Sequence, residues 1–244
     1  MKNFDPQKHS YSEPQDWAAQ NRMGAAPPIT AAEVSLEERV AFIRKVYGLF
    51  FAGILFAVGG VWLGFTFPPL MITAAEHPWI MLFVMIGAVM ATQAVRHTPG
   101  VNLVALFGFT TLTGVIISPL LYVISRSNPA SIFQAGVLTV GIFGGLTAYV
   151  FLSNKDFSFL RGMVTVGLIV VVVAGLLNVL FVGSLGLGFA LACATLLLFA
   201  GFVLYDTSNI IRRYPTNEYV GGALALYLDA LNIFLALLRI LNRR

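Results

Sequence analysis

From about residue 46 onward the chain is a succession of apolar runs, each long enough to cross about 30 Å of hydrocarbon, joined by breaks too short to hold another domain. Lipid offers no hydrogen bonds to the backbone, so runs of this length must satisfy their amides internally, as helices. The runs fall at about 46–67, 79–96, 101–124, 130–152, 159–182, 186–211 and 219–240. Turn chemistry marks the breaks: Pro68-Pro69, His77-Pro78, Pro99-Gly100, Asn128-Pro129, Lys155-Asp156, Gly183-Ser184 and Pro215-Thr216. The expected fold class is therefore an all-α integral membrane protein, a seven-transmembrane-helix bundle. Composition agrees, since only 11% of the residues are charged against about 25% in an average soluble domain.

Residues 1–34 contain Pro14, Pro27 and Pro28 among Gln, Ala and scattered charge, with no sustained periodicity. They are expected to form a disordered extramembrane tail, leaving 35–244 as the membrane domain. Ser35-Leu36-Glu37-Glu38 has capping-box spacing and predicts a helix start that runs through Arg44 and Lys45 into the first run. With the N-terminus inside, one side collects Arg39, Arg44, Lys45, Arg96, Lys155, Arg161, Arg212 and Arg213, and the other Arg126, Arg239, Arg243 and Arg244. That asymmetry favours a cytoplasmic N-terminus, although the cationic C-terminal end argues the other way. The expected location is an inner (plasma) membrane of bacterial type.

Several function classes lose their chemistry. The histidines are His9, His77 and His97, all in the tail or at run edges, so no intramembrane metalloprotease or histidine relay is built. Lys2, Lys8, Lys45 and Lys155 all lie outside the run interiors, which removes a retinal Schiff base. Phosphate-binding loops and nucleophile elbows are missing from the sequence, and the basic residues form no nucleic-acid footprint. The expectation is a non-enzyme without a cofactor. The single cysteine, Cys193, lies in an apolar stretch and reads as a small buried hydrophobe.

Asp206 and Asp229 are the only acidic residues inside the runs. A charged carboxylate near the bilayer centre costs on the order of 2.5–3.5 kcal/mol, so each marks a candidate functional site. The sixth and seventh runs are consecutive and antiparallel. Asp206 lies about 8 Å and Asp229 about 15 Å from the inner end, within reach of each other given tilt or a kink. Arg96 closes the second run on that same side. Blander readings stand beside this one. Asp206 could pair with Arg212 or Arg213 at the surface, Asp229 could be a hydrogen-bonded structural residue, and Arg96 could snorkel as a topology charge. Thr110, Thr111, Thr113 and Ser118 are more simply read as hydroxyls bonded back to their own helix than as pathway lining. Gly60-x-x-x-Gly64 and Gly141-x-x-x-Gly145 are expected to let helices of this chain pack closely.

The string Ala225-Leu226-Tyr227-Leu228-Asp229-Ala230-Leu231-Asn232-Ile233-Phe234, with Leu204-Tyr205-Asp206-Thr207 upstream and Arg96 eighteen residues before Gly114, resembles the transmembrane Bax inhibitor motif family over roughly 36–242. The resemblance implies six helices around a central C-terminal helix and a pH-sensitive calcium leak. It also implies an aspartate dyad, Asp206 with Asp229, and an arginine latch, Arg96. After the first aspartate this chain carries Thr207-Ser208-Asn209 instead of the Gln or Asn of the family pattern.

Physical chemistry is consistent with such a role. Two carboxyls in contact in a low-dielectric site do not both ionise readily and so share a proton. Doubly ionised, Asp206 and Asp229 would offer hard oxygens to a passing Ca²⁺. Arg96 could compensate one carboxylate in a closed state and release it when the protonation changes. The favoured function is a proton-gated cation leak channel, with the bilayer, calcium and protons as partners and calcium as the permeant ion. Two alternatives remain open: a membrane scaffold that regulates other membrane proteins, such as a membrane protease, and a proton-coupled secondary transporter.

Overall fold

Ser35 lies outside helical geometry (φ −56°, ψ 153°) and its Oγ accepts from the Glu38 amide at 3.3 Å, which starts helix α1, Leu36–Thr66, where the capping box predicts. The computed structural model describes residues 30–242 apart from Asn154; most of the expected tail, Arg243 and Arg244 lie outside the described residues. Eight α-helices are described. After α1 come α2 (Pro68–Glu76), α3 (Pro78–Ala94), α4 (Val101–Ser127) and α5 (Pro129–Ser153). A short 3-10 turn then leads into α6 (Arg161–Leu177), followed by α7 (Leu185–Arg212) and α8 (Tyr219–Leu241). Among the described residues there is no strand, only an isolated bridge between Thr30 and Pro215. Six helices are long and apolar enough to cross a membrane, α6 being counted with its flanking turns.

The run expected at 79–96 is the longer arm of a bent pair, with α2 and α3 meeting at 101°. Pro78 supplies no amide to continue a helix and drives His77 out of helical geometry, to φ −122° and ψ 56°. Pro119 inside α4 has a milder effect. It deprives the Val115 carbonyl of its usual donor, and the Ser118 hydroxyl donates to that carbonyl at 2.7 Å. The narrow break near Gly183 closes through a π turn, Asn178–Val182. Gly183 takes a left-handed conformation (φ 60°) and its amide donates to the Asn178 carbonyl at 2.6 Å. The Asn178 carboxamide oxygen then accepts from the Ser184 amide at 3.1 Å.

Helix α8 is the axis of the bundle: 56% of its most apolar window is buried, against 6–33% for the other long helices. It packs against α1, α4, α5 and α7. The expected ring of six is thus four helices in close packing, with α3 resting on α4 and α6 on α7. Enclosure on four sides shields most of α8 from lipid, and α3 and α6 form an outer layer whose side chains are largely exposed.

Helices α1 and α4 touch backbone to backbone. A methyl group placed on Gly60 would lie 2.0 Å from the Thr111 carbonyl oxygen, and one on Gly114 2.0 Å from that of Ala57. Gly64 abuts the Ser118 side chain in the same way. The close approach expected of Gly60-x-x-x-Gly64 is therefore intramolecular. The same expectation fails for Gly141 and Gly145, which face open space on the outer side of α5. Gly60→Ala should consequently destabilise the detergent-solubilised protein by about 1–3 kcal/mol through overpacking. Gly141→Ala should change stability by no more than about 0.5 kcal/mol. Thermal melting of the two variants side by side checks the contrast, and equal melting temperatures would contradict the α1–α4 contact.

Candidate functional site

One end of the bundle gathers polar and charged groups from five segments. Lys45 on α1 places its Nζ 3.3 Å above the ring of Tyr219, the first residue of α8, which fixes the start of α8 beside α1. Arg96, just past the end of α3, reaches Glu218 with its Nη2 3.7 Å from Oε1. His97 Nε2 also lies 3.7 Å from that oxygen and accepts from Arg96 Nε at 3.1 Å. The Asn102 side chain holds the Arg96 carbonyl at 3.0 Å, tying this corner to the first turn of α4.

Above this corner lie the two aspartates. Asp206, on α7, and Asp229, on α8, meet through a carboxyl–carboxyl hydrogen bond. Asp229 is 2% exposed and Asp206 is half-buried. One Asp229 oxygen, Oδ2, has no hydrogen-bond partner among the described residues. A buried oxygen in that condition is costly, and such atoms mark places where a proton, a water or an ion completes the site. Around Asp229 the α8 face is closed by Leu226, Ala230 and Ile233. Tyr227 packs edge-on against Phe109 and its hydroxyl hydrogen-bonds Thr113 on α4. Thr110, Thr111 and Thr113 bond back to carbonyls of their own helix, at 2.7–3.1 Å.

Arg96 is paired with Glu218 rather than with either aspartate. Tyr214, in the loop between α7 and α8, is half-buried within electrostatic reach of Asp206, Glu218 and Arg96. Burial first, then the Asp206 and Glu218 charges, push its hydroxyl well above the usual tyrosine range, so it stays a neutral donor. The same loop holds the start of the described chain. The Ala31 amide donates to the Tyr214 carbonyl at 2.9 Å, and Ala31 is wholly buried. The tail expected to extend to residue 34 is therefore ordered from Thr30, pinned beside this corner.

Glu218 was not singled out by the sequence, because it stands in a turn where carboxylates are common. A usable signal exists: it precedes Asp229 by eleven residues, which is three helical turns, so both lie on one face of α8 about 16 Å apart.

The far side of α7 is clamped by the loop after α5. Arg213 Nη2 donates to Asp156 Oδ2 at 2.9 Å and to Ser158 Oγ at 2.8 Å. Ser208 Oγ accepts from the Phe157 amide at 3.0 Å and donates to Asp156 Oδ1 at 3.4 Å. Of the three residues following Asp206, Ser208 thus anchors the loop, while the Thr207 hydroxyl is buried beside that of Tyr47 on α1. The Ser158 amide, then Arg213, hold the Asp156 carboxyl down to about 2. A depressed carboxyl stabilises the fold above its unfolded value, and the contribution is lost as pH falls through about 2. Asp156→Asn should therefore lower the melting temperature slightly near neutral pH, as for exposed pairs of about 0.2–1 kcal/mol. The gap to the parent protein should close near pH 2, and a gap that persisted there would assign it to something other than the charge.

The sequence profile of the family described as "Inhibitor of apoptosis-promoting Bax1" matches residues 39–244. An uncharacterised Campylobacter jejuni protein is 38% identical over 82% of this chain and 87% of its own length. "Protein lifeguard 4" of Mus musculus is 34% identical, covering 86% of this chain and 88% of its own. "Bax inhibitor 1" of Schizosaccharomyces pombe is 32% identical, covering 86% and 79% respectively.

Proposed function

Since this chain belongs to the Bax inhibitor family of membrane proteins, we propose that it is a proton-responsive cation leak pathway whose sensor is the Asp206–Asp229 pair. The observation that carries this reading is a buried carboxyl pair joining two adjacent helices, with one Asp229 oxygen left open. The pair needs one proton to hold together. Removing that proton places two negative charges in contact in a poorly screened interior, which drives α7 and α8 apart or draws in a cation. The Arg96–Glu218–His97 cluster is the adjacent movable cap. If the turn that carries Arg96 moves toward the pair as α7 and α8 part, the ionised aspartates offer Arg96 an alternative to Glu218, and this supplies the differential interaction a gate requires.

The cation is cargo in this scheme. Two carboxylates offer at most four of the 6–8 oxygens Ca²⁺ takes. Among the described residues no group of three or more His, Cys, Asp or Glu gathers to complete a resident site. Water would supply the remainder, as suits an ion that passes through. The work assigned to the residues is conduction and gating, without bond-making chemistry.

A topology of seven crossings supports the same reading. Phe65, near the end of α1, packs on Tyr122 near the end of α4, while Arg96 meets Glu218 at the opposite end of the bundle. The bent α2–α3 pair thus runs from one end to the other and counts as one crossing. The Glu218 end carries Arg39, Arg44, Lys45, Arg96, Lys155, Arg161, Arg212 and Arg213, whereas the far end carries Arg126 and Arg239, with Arg243 and Arg244 following in the sequence, an asymmetry that supports a cytoplasmic N-terminus.

Purified protein in liposomes loaded with a calcium indicator should show flux that varies with the external pH. Asp229→Asn and Asp206→Asn keep the shape of the site and remove its titration, so flux through either variant should lose that variation. Protein that folds and inserts but passes no calcium would instead support a scaffold. Variation retained in both variants would move the sensor to His97. Arg96→Ala and Glu218→Gln each break the cap and should raise basal flux several-fold at the pH where the parent protein is least active. Unchanged basal flux in both would remove the cluster from the gate.

A further inference from the structure

The end of the bundle away from Glu218 holds two neighbouring cavities. The first, about 690 Å³, lies between the last turns of α4 and the first turns of α7, with α8 as its floor. The second, about 540 Å³, lies under the α6–α7 turn. Both volumes fall in the range of ligand pockets, about 300–1,000 Å³. The two share two lining residues, Arg239 and Asn242, near the end of α8.

Arg239 is the single charged residue lining either cavity, and no carboxylate lines them. It is exposed, and among the described residues no acidic side chain pairs with it. Polar groups stand beside it at the shared edge. Asn242 donates its carboxamide to Ser131 Oγ at 2.9 Å, and the Asn178 carboxamide is tied to Ser184. Away from that edge the walls turn apolar, with Leu120, Val123 and Leu235 in the first cavity and Val179, Leu185 and Leu191 in the second. A guanidinium with no acidic partner among the described residues, at the junction of two apolar clefts, is complementary to a double-chain amphiphile with an anionic head.

We propose that Arg239 and the two clefts beside it bind one anionic phospholipid, its phosphate on the guanidinium and its acyl chains in the clefts. The charge complementarity is direct: a guanidinium takes a phosphate in bidentate fashion. The first cleft ends at Asn232, one turn beyond Asp229. A bound lipid would therefore lie against the helix face that carries the aspartate, without touching the Glu218 end. The proposal stands whether or not the protein conducts ions.

Thermal melting in mixed micelles tests it. Phosphatidylglycerol should raise the melting temperature saturably by several degrees, and phosphatidylcholine should not. Arg239→Gln should lose the phosphatidylglycerol shift, Arg239→Lys should keep only part of it because an ammonium meets phosphate as a point charge, and Arg126→Gln, on the same end but outside both cavities, should behave as the parent. Soluble glycerol phosphate should give no shift, because it has no chains to fill the clefts; a full shift with it would identify a free-anion site and overturn the lipid assignment. Equal shifts with both lipids, or a phosphatidylglycerol shift retained in Arg239→Gln, would also overturn it. If Arg239→Gln fails to fold, native mass spectrometry of the parent protein decides: one phosphatidylglycerol retained under activation that strips phosphatidylcholine is expected, and none retained refutes the site.

Discussion

A carboxyl group half-way along an apolar helix cannot face hydrocarbon, and the rest of this bundle is arranged around that prohibition. Asp229 is sheltered only if α8 is wrapped on every side. Four helices do this, and two of them do it by coming unusually close to each other. With Gly60 and Gly114 reducing the α1–α4 interface to backbone thickness, both helices can turn a face to α8 at once. Val46 of α1 seats on Gly222, and Thr113 of α4 reaches the Tyr227 hydroxyl, so α8 is held by α1 and α4 at levels below and near Asp229.

The corner beneath the aspartates is built on different terms. Arg96, His97 and Glu218 are partly solvated, and the distances between their charges, 3.7 Å, are those of adjustable pairs. His97 Nε2 faces both a donor, Arg96 Nε, and an acceptor, Glu218 Oε1, and one nitrogen cannot serve both in one protonation state. The carboxyl pair and a partly solvated three-residue cluster thus lie at successive levels along α8. Tyr214 stands between them as a group that keeps its own proton.

The two ends of α8 also differ in what surrounds them. At the Glu218 end the described chain closes in, with Ala31 buried against the Tyr214 loop and Asp156 clamped by Arg213. At the Asn242 end the helices spread and leave clefts. Tight loops hold the first end through hydrogen bonds, whereas the helices bordering the clefts carry the proline at 119 and the π turn at 178–182.

Much of this was legible in the residues themselves. The helical class, the run boundaries to within a few residues, the Ser35 cap and the candidate status of Asp206 and Asp229 follow from local rules: hydrocarbon length, backbone satisfaction, capping geometry and the cost of burying a charge. The bend at His77-Pro78 could be located but not measured, because a proline removes one hydrogen bond while neighbouring helices set the angle. What only the tertiary structure decided is who meets whom. Arg96 falls to Glu218 instead of an aspartate, Gly60 finds α4 while Gly141 faces open space, and Arg239 stands between two clefts. Each of these depends on the rotation of one helix against another, a quantity fixed by side-chain packing summed over whole interfaces. No short stretch of sequence carries that sum.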